Sequence, residues 1–594
     1  MGIRDLLKSV TRRQDDPNDA LAAVDRVGPW VRGLPRDDPA AAAVRIVGLL
    51  HHRVLQVRPL QPERLAATLR LDRMTEWAVS GLTTQYVANA VPGGQEQDLL
   101  VEAAELISSY TDSYTLFLRQ FEEAPRNNDW RPYLALMLVR LLRFLRADCK
   151  LRLMRYERWI PAKWREVHRV FRIAVEQGCV EEHVKMPTRS DPEAWTSVMR
   201  EYVDVLLLHR LDSGNLSSFE LEWAARRLSG WVEALDLRLA NEPESSSGFE
   251  VDLDGTAGLE RRDAGRHGGH MLFFNPAPLE AAIDKAKIEM EARLAKLPSS
   301  ERERILDAGT RVTLLGKLCE RFALEPPGNK RVTRTTAQGQ ARVVIGMEHV
   351  CLAVKHRPDF LPQRSGETNH GAGFTVSFGD TLQFQIGKGS ASPIPSLIPV
   401  GRTVESMVWQ LHDRSADGIG FLAPAQQALR VPVGSLVAIR VGEERQWLIG
   451  IVRRLRQIGA REATVGVEVI ARNLLQVQLQ AFTPTEAGLI ETETVSTNPK
   501  NFYGLYLPAD EQSSKRWHKT LILPREAYSS YDPEHPLTLV TEKYVYSISL
   551  RRPLERQADW VSVSLEIRNR RPTNQADMSY AEEDSVSQQP RARA

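Results

Sequence analysis

Apolar residues change their spacing along this chain, and the change divides it. Through the first 240 residues they recur at steps of three and four, which gathers side chains on one face of an α-helix. The stretches 99–121 and 133–146 have this spacing, as do Leu221, Trp223, Ala224, Leu228, Trp231 and Leu235. The last run follows Ser217-x-x-Glu220, a capping box in which the serine oxygen accepts one free backbone N–H and the glutamate another. Residues 1–240 are therefore expected to pack as an all-α domain. Glu, Ser, Gly and Asp dominate 241–272, which predicts a flexible linker.

Two further helices are expected in 273–325. Leu279, Ile283, Ala286, Met290 and Leu297 make a heptad-like stripe stopped by Pro298. Ser300-x-x-Glu303, a second capping box, opens the next, which carries Ile305, Ala308, Val312, Leu315, Cys319 and Phe322. Alternating steps of three and four form an a/d seam. Two or three heptads are marginal alone, so the stripe is expected to pack within its own chain, with a homodimer as the alternative.

From 326 the period falls to two. Segments 343–345, 374–378, 381–386, 404–411, 435–441, 447–453 and 463–470 are short, β-branched and bounded by Gly or Pro, the pattern of strands. Val465, Val467 and Val469 are placed on one face. Regular spacing and frequent glycine turns predict a small antiparallel barrel over 326–475, with an insertion at about 355–402. A second β-rich region is expected at 482–570, where Val561, Val563, Leu565 and Ile567 alternate with Ser and Glu. Residues 571–594 are polar and expected to be disordered. The fold class is multidomain α + β: an N-terminal all-α helical domain, a helical connector, an antiparallel β-barrel with an insertion, and a C-terminal β-rich region.

Composition adds limits. With 594 residues, 42% hydrophobic and 26% charged, the chain reads as a globular protein of several domains. Lys and Arg total 78 against 76 Asp and Glu, a net charge of +2, which excludes a generally basic nucleic-acid binder. The stretch 140–172 is the local exception, running from Arg140, Arg143, Arg146 and Lys150 to Arg169 and Arg172, with Trp159 and Trp164 interleaved. Such a face can hold nucleic acid or acidic headgroups. Arginines on amphipathic helices more often pair with acids of neighbouring helices, so nucleic acid is not the expected partner. Cys149, Cys179, Cys319 and Cys351 are far apart with no C-x-x-C pair, which predicts neither a disulfide framework nor a thiolate metal site. The opening Met-Gly-Ile-Arg-Asp-Leu-Leu-Lys lacks an apolar signal-peptide core. The longest apolar stretch, 134–145, is broken by Arg140 and Arg143 and is too short to span a bilayer. A cytoplasmic location without a membrane span is expected.

The most informative chemistry is Asp413-Arg414-Ser415-Ala416-Asp417-Gly418, an (Asp/Asn)-x-Ser-x-x-Gly string. An apolar strand (Met407, Val408, Trp409, Leu411) runs into it and Ile419-Gly420-Phe421-Leu422 leaves it. Val433-Gly434-Ser435-Leu436-Val437, Ile449-Gly450-Ile451-Val452-Arg453 and Val465-Gly466-Val467-Glu468-Val469 follow. This succession resembles the PilZ domain, a small bacterial barrel that binds cyclic di-GMP. The family also carries an Arg-x-x-x-Arg element ahead of its first strand, and the counterpart here is Lys330-Arg331-Val332-Thr333-Arg334. Lysine holds the first arginine position, unless the pair is read one residue short as Arg331-x-x-Arg334. Residues 355–402 intervene where the family has a short turn. The resemblance covers about 330–475 and implies a cyclic di-GMP site of Lys330, Arg331, Arg334, Asp413, Arg414, Ser415 and Gly418.

The residue types suit that ligand on their own chemistry. A guanidinium fork bridges phosphate oxygens or guanine O6 and N7, whereas lysine supplies charge without the fork. An aspartate accepts from guanine N–H groups and a serine hydroxyl both donates and accepts. Glycine at 418 lets a flat base approach the backbone. The same residues also fit a plainer reading, in which Asp413 and Ser415 make an Asx-type turn and Arg334 is a solvated charge.

Other motifs fall short. His267 and His270 have no third metal ligand at a useful spacing. Glu250-x-Asp252-x-Asp254-Gly255 has Arg261 where a calcium loop needs glutamate, and Gly387-Lys388-Gly389 lacks the remainder of a phosphate loop. No catalytic motif is present, and neither an enzyme nor a metal cofactor is expected. The reading is a non-enzymatic cyclic di-GMP receptor whose ligand rearranges the helical domain, which in turn meets an unidentified protein partner. The resemblance implies outputs in motility, adhesion or biofilm formation. The alternatives are an adaptor whose barrel binds no nucleotide and, more weakly, nucleic-acid binding through 140–172.

Overall fold

The computed structural model describes residues 19–58, 60–88, 96–123, 129–186, 193–212, 214–243, 248–262, 269–298, 301–324, 334–355, 374–378, 382–386, 406–444, 446–472, 474–481, 500–507, 520–531, 536–540 and 544–572. They fall into two units. The first takes the described residues of Met1–Ile288, Leu314–Lys330 and Arg456–Ile458, and the second takes the others.

The first unit opens with α1 (Val24–Arg32), α2 (Pro39–Leu50), α3 (Pro62–Ala88), α4 (Glu96–Glu123), α5 (Leu134–Met154), α6 (Pro161–Glu176), α7 (Val198–Arg210) and α8 (Ser218–Ala234). Between α6 and α7, β1 (Val184–Lys185) and β2 (Trp195–Thr196) pair antiparallel. The Ser217 capping box forms as expected: Ser217 Oγ accepts the Glu220 N–H at 3.3 Å and Glu220 Oε2 accepts the Ser217 N–H at 2.8 Å. Helix α5 is buried on most of its circumference, with Met137, Leu138, Leu141, Leu142 and Leu145 at most 1% exposed. Helices α4, α6, α7 and α8 pack against it.

The expected linker 241–272 is corrected over its described residues. There β3 (Phe249–Asp252) pairs with both β4 (Glu260–Arg261) and β5 (Met271–Phe274). The segment has few apolar residues, but Phe249, Val251, Leu253, Leu259 and Phe274 are all buried. His168 anchors it on α6. Its Nε2 lies 2.9 Å from Ala257 O, which can only accept, so the imidazole carries its proton there and Nδ1 accepts from Tyr202 Oη at 2.8 Å. Gly258 lies so close to the Trp164 ring that a Cβ would come within 2.3 Å of it.

The connector consists of α9 (Ala277–Lys296) and α10 (Arg302–Phe322). Leu279, Ile283, Ile305, Ala308, Leu315 and Phe322 of the expected stripe are buried. Ser300 of the second capping box lies outside the described residues. The boundary between the units falls inside both helices.

In the second unit, β6 (Thr335–Thr336), β7 (Gln340–Ile345), α11 (Met347–Lys355), β8 (Phe374–Phe378), β9 (Leu382–Ile386), β10 (Met407–Arg414), β11 (Gly418–Pro424), α12 (Ala425–Ala428), β12 (Leu436–Val441), β13 (Leu448–Ile458) and β14 (Glu462–Ala471) follow in order. Strands run β11-β14-β13-β12-β7-β10, and because β10 also pairs with β11 the ring closes on itself, with β6 added on β10. Inside it Trp409 and Phe421 meet edge to face at 5.7 Å between ring centroids. From the expected insertion, β8 and β9 pair with each other. Among the described residues, β13 supplies Arg456–Ile458 to the first unit.

The expected 482–570 region is a second closed barrel, and it begins earlier, at Leu475. Its strands are β15 (Leu475–Ala481), β16 (Lys500–Leu507), β17 (Thr520–Pro524), β18 (Leu537–Val540), β19 (Tyr544–Arg556) and β20 (Trp560–Pro572), with α13 (Arg525–Ser529) after β17. The ring order is β15-β16-β17-β20-β19-β18. Alternation sorts its side chains. Tyr506, Leu521, Leu523, Val561 and Val563 make one core with Leu306 of α10, whereas Leu505, Leu507, Ile522 and Trp560 make another with α11 and the outer face of β12 and β13. Helix α11, which the sequence reading did not foresee, thus fills the space between two barrels. Residues 573–594, expected to be disordered, lie outside the described residues.

Candidate functional site

The decisive question is whether the arginine-bearing lead-in reaches the serine–glycine turn. It does. Strand β6, directly after Arg334, pairs with the end of β10, Thr336 opposite Asp413 and Thr335 opposite Arg414. Arg334 Nη1 donates to Asp413 Oδ1 at 2.8 Å. The two side chains are 53% and 24% exposed, so the pair is worth about 0–1 kcal/mol and its rearrangement around a ligand costs little.

A bulge sets which way Asp413 points. Leu411 pairs with Phe421 and Asp413 with Gly420, leaving His412 as the extra residue. In an unbroken ladder Asp413 would stand opposite Ile419, whose side chain is buried. The bulge moves it opposite Gly420, on the outer face, as bulges beside functional sites commonly do. No Cβ occupies that place, and the Asp413 carboxylate lies across it: a Cβ built on Gly420 would come 2.6 Å from Oδ1. Gly420 in turn pairs with Gly466, and Gly418 lies near Ser415 Oγ and Arg334 Nη2, at 3.3 and 3.9 Å from where its Cβ would be. The outer face beside the turn is therefore a floor that lacks side chains of its own at Gly418, Gly420 and Gly466, and is bordered by the Asp413 carboxylate, the Arg334 guanidinium, the Ser415 hydroxyl and, beside Gly466, Arg454.

The turn is braced. Ser415 N–H donates to Gly418 O at 2.8 Å, Val469 N–H to Asp417 O at 2.9 Å, and Arg472 Nη2 to Ala416 O at 3.1 Å. Val469, placed on one face with Val465 and Val467 by alternation, is only half-buried where they are buried; its backbone serves the turn.

Of the residues singled out by sequence, Arg334, Asp413, Ser415 and Gly418 come together. Arg414 pairs opposite Ile419 and so falls on the other side of its strand from Asp413. Lys330 and Arg331 lie outside the described residues. Sequence reasoning missed Gly420, whose only signal was a second glycine two positions past the motif, and Arg472, which no motif includes.

Residues 401–474 match the family model of the middle PilZ domain of the cyclic-di-GMP receptor FimW. The chain carries a PilZ domain. Residues 25–243 match the model of the N-terminal domain of the same receptor, so the helices α1–α8 and the PilZ domain agree on one receptor family, whose ligand is cyclic di-GMP. No curated protein matches the chain. The PilZ match begins at 401, after Arg334, so the placing of Arg334 on Asp413 is an observation that the match does not supply.

Most cations of the basic stretch 140–172 are paired with acids within the first unit. Arg140 donates both Nε and Nη2 to Asp72 at 2.5 Å, with Tyr114 Oη also on that carboxylate at 2.7 Å. Arg143 pairs with Glu201 at 2.8 Å, Arg146 with Asp204 at 2.7 Å, Lys150 with Glu222 at 2.9 Å and Arg172 with Asp254 at 2.8 Å. Among the described residues, no three His, Cys, Asp or Glu side chains form a group that could hold a metal ion, and no helix is long and apolar enough to cross a membrane. His267 lies outside them.

Proposed function

We propose that this chain binds cyclic di-GMP on the outer face of its PilZ barrel and passes the binding event to the helical unit. Arg334 presents its fork to a phosphate or to guanine O6 and N7. Asp413 accepts from a guanine N–H, Ser415 adds a hydroxyl contact, and the floor at Gly418 and Gly420 takes the flat base. Lys330 and Arg331, on the same lead-in, add charge for the second phosphate. Arg414 is left out of the contact set because it lies across the strand. The observation that carries this reading is the Arg334–Asp413 pair at 2.8 Å, which holds the lead-in against the turn.

Transmission follows from chain order. Residues 325–333 connect α10 to β6, so folding the lead-in over a ligand acts on the end of α10. That helix has Leu306 in the second barrel's core and, in the first unit, Lys317 on Glu220 at 2.7 Å. The ligand shifts an arrangement only if it contacts one better than the other.

Calorimetry with cyclic di-GMP tests the binding half: saturable heat, weakened at least tenfold in Arg334→Ala and in Asp413→Ala, is expected. Absence of saturable heat would leave the barrel as a scaffold for proteins, which is the adaptor alternative. Small-angle scattering with and without ligand tests the coupling half, and identical profiles at saturation would remove it.

A further inference from the structure

Cyclic di-GMP carries two phosphates, and among the described residues Arg334 is the one motif cation on the floor side of the turn. A second guanidinium nevertheless reaches the same turn from β14. Arg472 is exposed, follows the last residue of that strand, and spends one Nη2 donor on Ala416 O at 3.1 Å. A guanidinium has five N–H donors in a fixed fork, so that one anchor does not exhaust the donors of this exposed side chain. The neighbouring carbonyl, Asp417 O, is already taken by Val469 N–H at 2.9 Å. The turn is thus pinned at Asp417 O by backbone and at Ala416 O by a cation that neither the sequence motif nor the lead-in supplies.

We propose that Arg472 is a further positioning residue of the ligand site: it holds the 415–418 turn through Ala416 O and offers its remaining donors to a phosphate of the dinucleotide. The inference rests on the receptor reading above. Lysine cannot replace it fully, because an ammonium lacks the planar fork that serves a carbonyl and a phosphate in fixed geometry.

The test is calorimetry of the full chain with cyclic di-GMP at two salt concentrations, for the unmodified protein, Arg472→Ala and Arg472→Lys, with thermal melting of each unliganded protein. Arg472→Ala is expected to weaken binding about tenfold or more, to flatten its salt dependence, and to leave the unliganded melting midpoint unchanged. Arg472→Lys is expected to restore the salt dependence and only part of the affinity. Unchanged affinity in Arg472→Ala overturns the proposal, as does a loss of affinity matched by a fall in the unliganded midpoint, which would make the residue structural only. If the unmodified protein shows no saturable heat, the receptor reading itself fails; if it binds and Arg472→Ala binds equally, only this inference does.

Discussion

The two barrels of the second unit are the same ring built twice. Numbered one to six in chain order, the strands of each close as 1-2-3-6-5-4. In each, the third strand ends on a proline that opens a short helix, Pro424 before α12 and Pro524 before α13. The first helical N–H donates to the residue just before strand six, Ala425 to Arg461 at 2.8 Å and Arg525 to Asp559 at 3.1 Å. Even the register agrees, with Pro424 opposite Glu462 and Pro524 opposite Trp560. The difference lies between strands two and three. Barrel one crosses there with residues 415–417, inside the serine–glycine string. Barrel two spans the gap with 508–519, which contain no glycine, and where barrel one has the bare Gly420 it has Thr520. The shared ring therefore does not by itself make the proposed site; the turn, the bulge and the missing side chain are what set barrel one apart.

If barrel two instead braces barrel one, its largest shared side chain should matter most. Trp560 is fully buried, packs with α11 and the outer face of barrel one, and donates its indole N–H to Gly434 O at 3.0 Å. Trp560→Ala removes that packing and leaves a buried carbonyl unbonded, so a loss of about 3–5 kcal/mol in urea unfolding is expected. A loss below about 1 kcal/mol, the range of exposed substitutions, would show that the barrels stand independently.

The next effect falls on the ligand. Gly420→Ala places a methyl where the Asp413 carboxylate now lies, 2.6 Å from Oδ1. The carboxylate is partly exposed and can swing away, so the fold should survive while cyclic di-GMP affinity falls ten- to a hundredfold, about 1.4–2.8 kcal/mol. Calorimetry beside a thermal melt reads both. Undiminished affinity would mean that the Asp413 position over Gly420 is not the binding one.

How much of this was legible beforehand depended on how local the signal was. The turn could be read because six consecutive residues, Asp413 to Gly418, carry it. The His412 bulge could not, since nothing in Trp409-Gln410-Leu411-His412-Asp413 marks which residue leaves the ladder; pairing with β11 decides it. Helix α11 is apolar on several sides because two barrels cover it, which erases the period that reveals a surface helix. The 241–272 segment reads as a linker by composition, yet isolated residues such as Phe249 and Phe274 each find a partner from the helices or from one another. Barrel two could be read as strands, but its identity of ring with barrel one exists only in the pairings.

The smallest effect separates the barrels at their matched residues before strand six. Arg461 of barrel one offers only its carbonyl there, whereas Asp559 of barrel two also turns its carboxylate to the N-terminus of α11, accepting the Met347 N–H at 2.9 Å. Asp559→Ala should cost about 1 kcal/mol, as for other lost helix caps. Burial raises the Asp559 pKa and the Met347 N–H only partly opposes it. With the folded value above the unfolded one, the native state keeps a proton that the unfolded chain has released. The contribution is therefore fully present below the ordinary carboxylate range and is lost as pH rises through the raised value. Asp559→Asn keeps an acceptor without titrating, so its stability should gain on that of the unmodified protein as pH rises across that window, measured by urea unfolding at a series of pH values. A gap that moves the other way would mean that the ionised carboxylate is the better cap, and that α11 is held by charge at this end rather than by the apolar packing the two barrels share.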